Sequence, residues 1–402
     1  MTPASPSVAA GLTQQFAAAF PGEMAVDPSG KFLYLLGIGG DIVSVYQVAS
    51  DGTVTQVNQI AGRDLKEGLL LIGGANPVTW SPNYAYIASS GDEKLTSYTV
   101  QTDGSLNSPQ SQSTAAAPIA AATLPWGSDL LVAVSSAPPN VTAYAVSNGA
   151  LSLGSSFGEA TQPAGLVMDP SGLMAFEADS SNGNIYEYFY GDIPCIWSNV
   201  VGPVFAAQAG AGPVVTDPSG RFLIVANETA ESISLFEPEG SAPISPVSLS
   251  YTPLAIVMDP TGNYLLVSGD DNELHMLVSN GLGQLTDSSH PLLPGIASSI
   301  AVEPTGHFVY AAGSSGLSAF SINSQTQALA PVTLNLPVSL ASANGVYIDP
   351  SGKFLYVSVS SSNVNALYLF TINGDGTLSS TSAAPVATPN HATSMVFSAQ
   401  VQ

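Results

Sequence analysis

One four-residue turn, Asp-Pro-Ser-Gly, recurs through this chain at Asp27–Gly30, Asp169–Gly172, Asp217–Gly220 and Asp349–Gly352. Asp259-Pro260-Thr261-Gly262 and Glu303-Pro304-Thr305-Gly306 vary it slightly, and Ser81-Pro82-Asn83 and Pro125-Trp126-Gly127 are weaker copies. Each residue type has a reason to be there. The carboxylate can accept from backbone N–H groups of the turn, Pro pre-sets φ, and Gly tolerates the positive φ that ends the turn. An apolar run precedes each copy, as at Leu166-Val167-Met168. A run rich in branched and aromatic residues follows, as at Phe354-Leu355-Tyr356-Val357. Such pairs read as buried strands joined by a tight turn.

A third strand follows each pair, as at Ser232-Ile233-Ser234-Leu235-Phe236. Then comes a second turn type, Asp-Gly or Asn-Gly, at Asp51, Asp103, Asn148, Asn280 and Asp375. These dipeptides favour two-residue hairpins. One unit is therefore four antiparallel strands. Successive turn prolines lie 42 to 54 residues apart, 46 on average. Four-strand units at this spacing indicate an all-β chain folded as a single closed β-propeller. Eight turn signals favour eight blades, with seven as the runner-up. The propeller is expected over residues 22–402, preceded by an N-terminal arm over 1–21. Ala392 to Phe397 reads as a first strand without its turn and is a candidate for closing the ring.

Charge narrows the function classes. Asp and Glu number 29 against 6 Lys and Arg, for a net charge of −23, and only 9% of residues are charged. So few cations cannot neutralise a phosphate backbone, which excludes nucleic acid as a partner. Cys195 is the single cysteine, so no disulfide within the chain and no cysteine metal site is expected. No apolar run is long enough to span a membrane. Met1 to Pro21 lacks the cationic start and apolar core of a signal peptide. The lysine-poor surface, rich in Ser, Thr, Ala and Gly, nevertheless points to a secreted or periplasmic protein, expected to be monomeric.

The pattern Asp217-Pro218-Ser219-Gly220-Arg221-Phe222-Leu223-Ile224-Val225-Ala226-Asn227, followed by Ser232 to Phe236, resembles the lactonase-like β-propeller family. That family includes 6-phosphogluconolactonase and the carboxymuconate cyclases. The resemblance spans about residues 22–389. It implies the propeller fold, usually with seven blades, and a lactone-hydrolysing site. The enzymes begin one blade with a Pro-His-x-His-like element, where this chain reads Pro163-Ala164-Gly165-Leu166. They begin a later blade with Gly-Pro-Arg-His, where this chain reads Gly212-Pro213-Val214-Val215. The Asn-Glu pair after that blade's second strand is kept, as Asn227-Glu228. The acidic group remains; the histidine and arginine positions do not.

Loops between second and third strands should all emerge on one face. They carry Asp41, Asp92, Glu93, Asp179, Asn227, Glu228 and the cluster Asp270-Asp271-Asn272-Glu273. Such a face can hydrogen-bond sugar hydroxyls, or it can simply solvate the molecule. Asp270, Asp271 and Glu273 form the densest group and the candidate site for Ca²⁺, which takes six to eight oxygen ligands; no cofactor is otherwise expected. The histidines His275, His290, His307 and His391 share no metal-ligand spacing; His275 stands out only by lying two residues after Glu273. The expected function is a non-catalytic binding or interaction scaffold that takes a small polyol, a lactone or a protein partner on its acidic face. The alternative is a lactonase with Glu228 as general base, which would also need a group to stabilise the oxyanion.

Overall fold

The computed structural model describes residues 80–401, except 124–128, 136–137, 139, 191–196, 200–201, 239–243, 337–339, 361–364 and 389–390, together with the backbone of four strands before residue 80. The chain forms two compact units, residues 1–78 and 79–402. In the first, strands Pro21–Val26, Phe32–Gly37, Ile42–Val48 and Val54–Ala61 pair in chain order as one antiparallel sheet. The arm expected over 1–21 lies outside the described residues except for Pro21, which begins the first strand, and so do the Asp27 turn, the Asp51-Gly52 hairpin, Asp41, Cys195 and the Pro125 turn.

Among the described residues the second unit contains seven antiparallel blades, five of four strands and two (163–206 and 343–387) whose outer position is shared by two short strands. Six of them span 118–157, 163–206, 211–248, 253–289, 297–332 and 343–387. The seventh joins Trp80–Ser89, Lys94–Val100 and Leu106–Ser113 to the far end of the chain: Ala392–Val401 pairs with Trp80–Ser89 as the first strand of that blade. First strands of successive blades pack on one another, and Ala392–Val401 packs on both Pro118–Ala122 and Ala343–Ile348. Thr393 Oγ1 donates to Pro118 O at 3.0 Å, and Asn344 Nδ2 donates to Ala392 O at 2.9 Å.

The expectation of eight blades is thereby corrected to seven. One repeat inflated the count, and another is not a turn, although its blade is real. Pro82 lies inside the strand Trp80–Ser89, opposite Ala399, and makes no turn. The sheet containing the Asp27 repeat belongs to the other compact unit.

The true turns behave as their composition requires. In the 253–289 blade, Asp259 Oδ1 accepts from the Asn263 and Tyr264 N–H groups at 2.8 and 2.7 Å, and Oδ2 from Thr261 N–H at 3.0 Å. Asp349 accepts from Ser351 N–H at 2.9 Å and Phe354 N–H at 2.7 Å. Gly262 and Gly352 sit at φ +74° and +69°. Successive turns also interlock. A Cβ on Gly220, Gly262, Gly306 or Gly352 would lie 3.0–3.7 Å from the turn proline of the preceding blade. At the outer hairpins, Asn148 and Gly149 both take positive φ between the paired Ser147 and Ala150, as a two-residue type I′ turn demands.

The core lies between blades. Ile224, Ala226 and Ile233 of one blade pack with Ile256 and Val267 of the next. Tyr186 and Tyr188 are buried in such a cluster with Phe157 and Trp197 and so serve packing. Because neighbouring strands run antiparallel, the Asp-Pro-Ser-Gly turns lie at one end of each blade. The second-to-third-strand turns and the links between blades lie at the other.

Candidate binding site

The turn from Tyr264–Gly269 to Leu274–Ser279 holds Asp270, Asp271, Asn272 and Glu273. Asn272 supplies the left-handed residue, at φ 62°, which Asn tolerates better than most side chains. Asp271 Oδ1 accepts from the Glu273 N–H at 3.1 Å, closing a local loop. Gly269 makes room: a Cβ there would lie 2.4 Å from Asp271 Oδ1 and 2.8 Å from Tyr251 Cδ2. The link after Leu285–Ser289 folds back over this turn, with Leu293 N–H donating to Asn272 O at 2.7 Å and Leu274 N–H to Pro291 O at 3.1 Å.

This arrangement gathers five titratable side chains. His275, 4% exposed, presents Nδ1 to Asp287 Oδ2 at 2.9 Å and Nε2 to Asp271 Oδ2 at 3.0 Å. Glu273 Oε2 lies 3.8 Å from His275 Nε2 and 3.0 Å from His290 Nδ1. One ligand-type atom from each of Asp271, Glu273 and His275 falls within 4.8 Å of the others. The Tyr251 ring stacks on His275 at 3.7 Å and 13°, and His290 lies on the imidazole at 5.6 Å and 24°. The Tyr251 hydroxyl is buried without a hydrogen-bond partner. Burial pushes its pKa far up, helped by the charges of Asp287, Asp271 and Glu273.

Both nitrogens of His275 thus face carboxylate oxygens. A neutral imidazole donates from one nitrogen and shows a lone pair at the other. One of the two contacts therefore requires a cation, a proton or a metal, between the lone pair and the carboxylate.

Other candidate residues are placed differently. Asp179 is fully buried and accepts from Thr161 and Gln162 N–H at 2.6 and 3.2 Å and from Ser181 N–H and Oγ at 2.9 and 2.6 Å. Burial pushes its carboxyl up, but these donors outweigh it and hold it below the usual range. Asn227 is also fully buried; it accepts from Gln208 N–H at 3.1 Å and donates to Ser234 Oγ at 2.9 Å. Both hold their own loops in shape. Asp92 and Glu93 are exposed at the Ser89-to-Lys94 turn. Asp270 is exposed and accepts from Thr252 N–H at 2.9 Å, apart from the Asp271–Glu273–His275 group.

Glu228 is an exposed residue, but its carboxylate leans on the backbone of first strand Ala211–Thr216: a Cβ on Gly212 would lie 2.9 Å from Oε1. Desolvation there raises its pKa. Among the described residues it forms no ion pair with a histidine or a basic side chain. A cavity of about 370 Å³ lies elsewhere, where Gly104 and Leu106 meet Tyr356, Leu367 and Val386.

Sequence reasoning singled out Asp271, Glu273 and His275 but missed Asp287, His290 and Tyr251. Asp287 was within reach of it. The Asn280-Gly281 hairpin sets Leu277 opposite Asp287, and His275 is on the same face as Leu277. His290 and Tyr251 arrive on links between blades, which carry no periodic signal.

No protein-family model and no curated protein matches the chain. Solved structures do. A periplasmic gluconolactonase from Pseudomonas aeruginosa superposes with TM-score 0.67 at 16% identity, covering 80% of this chain and 100% of that one. A Bacteroides uniformis protein, described provisionally as a 6-phosphogluconolactonase, gives TM-score 0.65 at 16% identity over 78% and 98% of the two chains. A functionally unknown protein from Desulfotomaculum acetoxidans gives 0.64 at 14% identity over 79% and 99%. The fold is that of the lactonase-like β-propellers.

Proposed function

We propose that this lactonase-like propeller acts by binding rather than turnover, on the face formed by its second-to-third-strand turns. The carrying observation is the contrast between two places on that face. Around His275, three carboxylates and two imidazoles converge. Around Glu228 the described residues supply no paired acid or electrophile. Hydrolysis needs both a base and stabilisation of the developing oxyanion. Binding needs only a fixed set of polar groups in a partly desolvated setting, which the 253–289 blade provides. The ligand class that suits such a face is cationic or polyhydroxylated, and the chain acts as a monomer. The periplasmic location named for the Pseudomonas neighbour supports an exported protein.

The test is hydrolysis of neutral and phosphorylated aldonolactones by the purified protein, with Glu228→Gln as control. No turnover above the uncatalysed rate is expected. Turnover lost in E228Q would overturn the binding reading and establish the second one, lactonase chemistry with Glu228 as base. That reading is favoured by one observation, the upward shift of the Glu228 carboxyl against Gly212.

A further inference from the structure

We infer that His275, Asp271 and Glu273 form a binding site for one divalent first-row transition cation of the Zn²⁺ type, oriented by Asp287 and His290. This rests on the binding reading above and names the ligand of the same site. Three observations carry it. The first is the donor set: one imidazole nitrogen and two carboxylates, with ligand atoms within 4.8 Å of one another. Imidazole with carboxylate suits Zn²⁺ and its neighbours, whereas Ca²⁺ prefers oxygens alone. His275 thus shifts the expectation from Ca²⁺ on Asp270, Asp271 and Glu273 to a softer ion. Asp270 accepts from Thr252 N–H and lies outside the group of converging ligand atoms.

The second is the outer group on the histidine. Asp287 accepts at Nδ1, at 2.9 Å, which leaves Nε2 as the nitrogen facing Asp271 and Glu273. A carboxylate on the far nitrogen fixes the tautomer and ring orientation that a metal-ligating histidine needs. His290 does the same for Glu273, at 3.0 Å. The third is the Tyr251 hydroxyl, buried without a hydrogen-bond partner on a ring that stacks on the His275 imidazole at 3.7 Å. A water on a bound cation would give it one. With three protein ligands the ion keeps open positions, so a small oxygen-bearing ligand can join it there.

The test is isothermal titration of the whole chain with ZnCl₂, with CaCl₂ in parallel, after treatment with a chelator. One Zn²⁺ per chain is expected. His275→Gln and Asp271→Asn should each weaken binding at least tenfold. Asp287→Asn, which leaves every ligand in place, should weaken it about 10- to 100-fold. Co²⁺ should show visible d–d bands that H275Q abolishes. D271N alters a partly exposed group, so a folded variant is available even if H275Q fails to fold. Absence of saturable Zn²⁺ binding, or Zn²⁺ binding unchanged in D271N, overturns the inference. So does Ca²⁺ binding to these residues more tightly than Zn²⁺. Lactone turnover is read separately on the metal-free and loaded protein. Turnover lost in E228Q overturns the binding reading and leaves the metal site standing. A silent titration with no turnover removes the metal alone.

Discussion

Glu177 is fully buried in the strand Met174–Asp179, and the Tyr188 hydroxyl donates to its carboxylate. Burial pushes its pKa up to about 7 from 4.5; the Tyr188 bond pulls it back only in part. The folded state therefore keeps a proton between those values that the unfolded chain has released. Its contribution to stability is full below 4.5, falls as pH rises to about 7, and is flat above. The total is about 3 kcal/mol. Urea unfolding across this range should show Glu177→Gln gaining on the native protein as pH rises, by up to that amount; parallel curves would refute the argument. The sequence does not disclose this. Both faces of Met174–Asp179 are buried between blades, and the stacking of blades, which leaves no local signal, is what closes over Glu177. His275 is the intermediate case: its nearest acids in sequence were legible, while its partners from the links between blades depend on packing.

At the scale of the turn, sequence and structure agree closely, because the Asp-Pro-Ser-Gly chemistry is local. Asp259→Ala should cost about 1–3 kcal/mol, since it leaves three backbone N–H groups without their acceptor. Chemical denaturation would measure it. What the repeat does not reveal is the interlock between neighbouring turns, which depends on how blades stack. A pair of glycines isolates that effect. Gly352 and Gly281 share φ +69°, but a Cβ on Gly352 would stand 3.0 Å from Pro304 Cδ, whereas one on Gly281 meets nothing within 4 Å. Both Ala variants bear the strain of positive φ, roughly 1–3 kcal/mol. G352A should lose measurably more than G281A; equal losses would mean that the turns do not bear on one another.

At the scale of the molecule, the blade count turned on the Asp27 sheet belonging to the other compact unit, and the make-up of one blade on a strand far from its partner. Turn spacing gives the number of repeats, but not which end of the chain completes which sheet. Ala392–Val401 was recognisable as a turnless first strand; its place opposite Trp80–Ser89 is a long-range pairing that no local signal encodes. Removing residues 392–402 should leave Ala85 and Ile87 without Met395 and Phe397 in their shared core. The shortened chain is expected to lose its cooperative unfolding transition and to bind hydrophobic dyes. A sharp transition like that of the full chain would refute this. The same pairing bears on synthesis. Thr393 Oγ1 donates to Ala88 O at 3.2 Å across 305 positions of sequence. While the ribosome works through that interval, the blade built on Trp80–Ser89 lacks its native first strand and has an open edge. Such an edge is a template for pairing with other strands. Until Ala392–Val401 has been made, that edge is a place where the nascent protein is expected to pair wrongly.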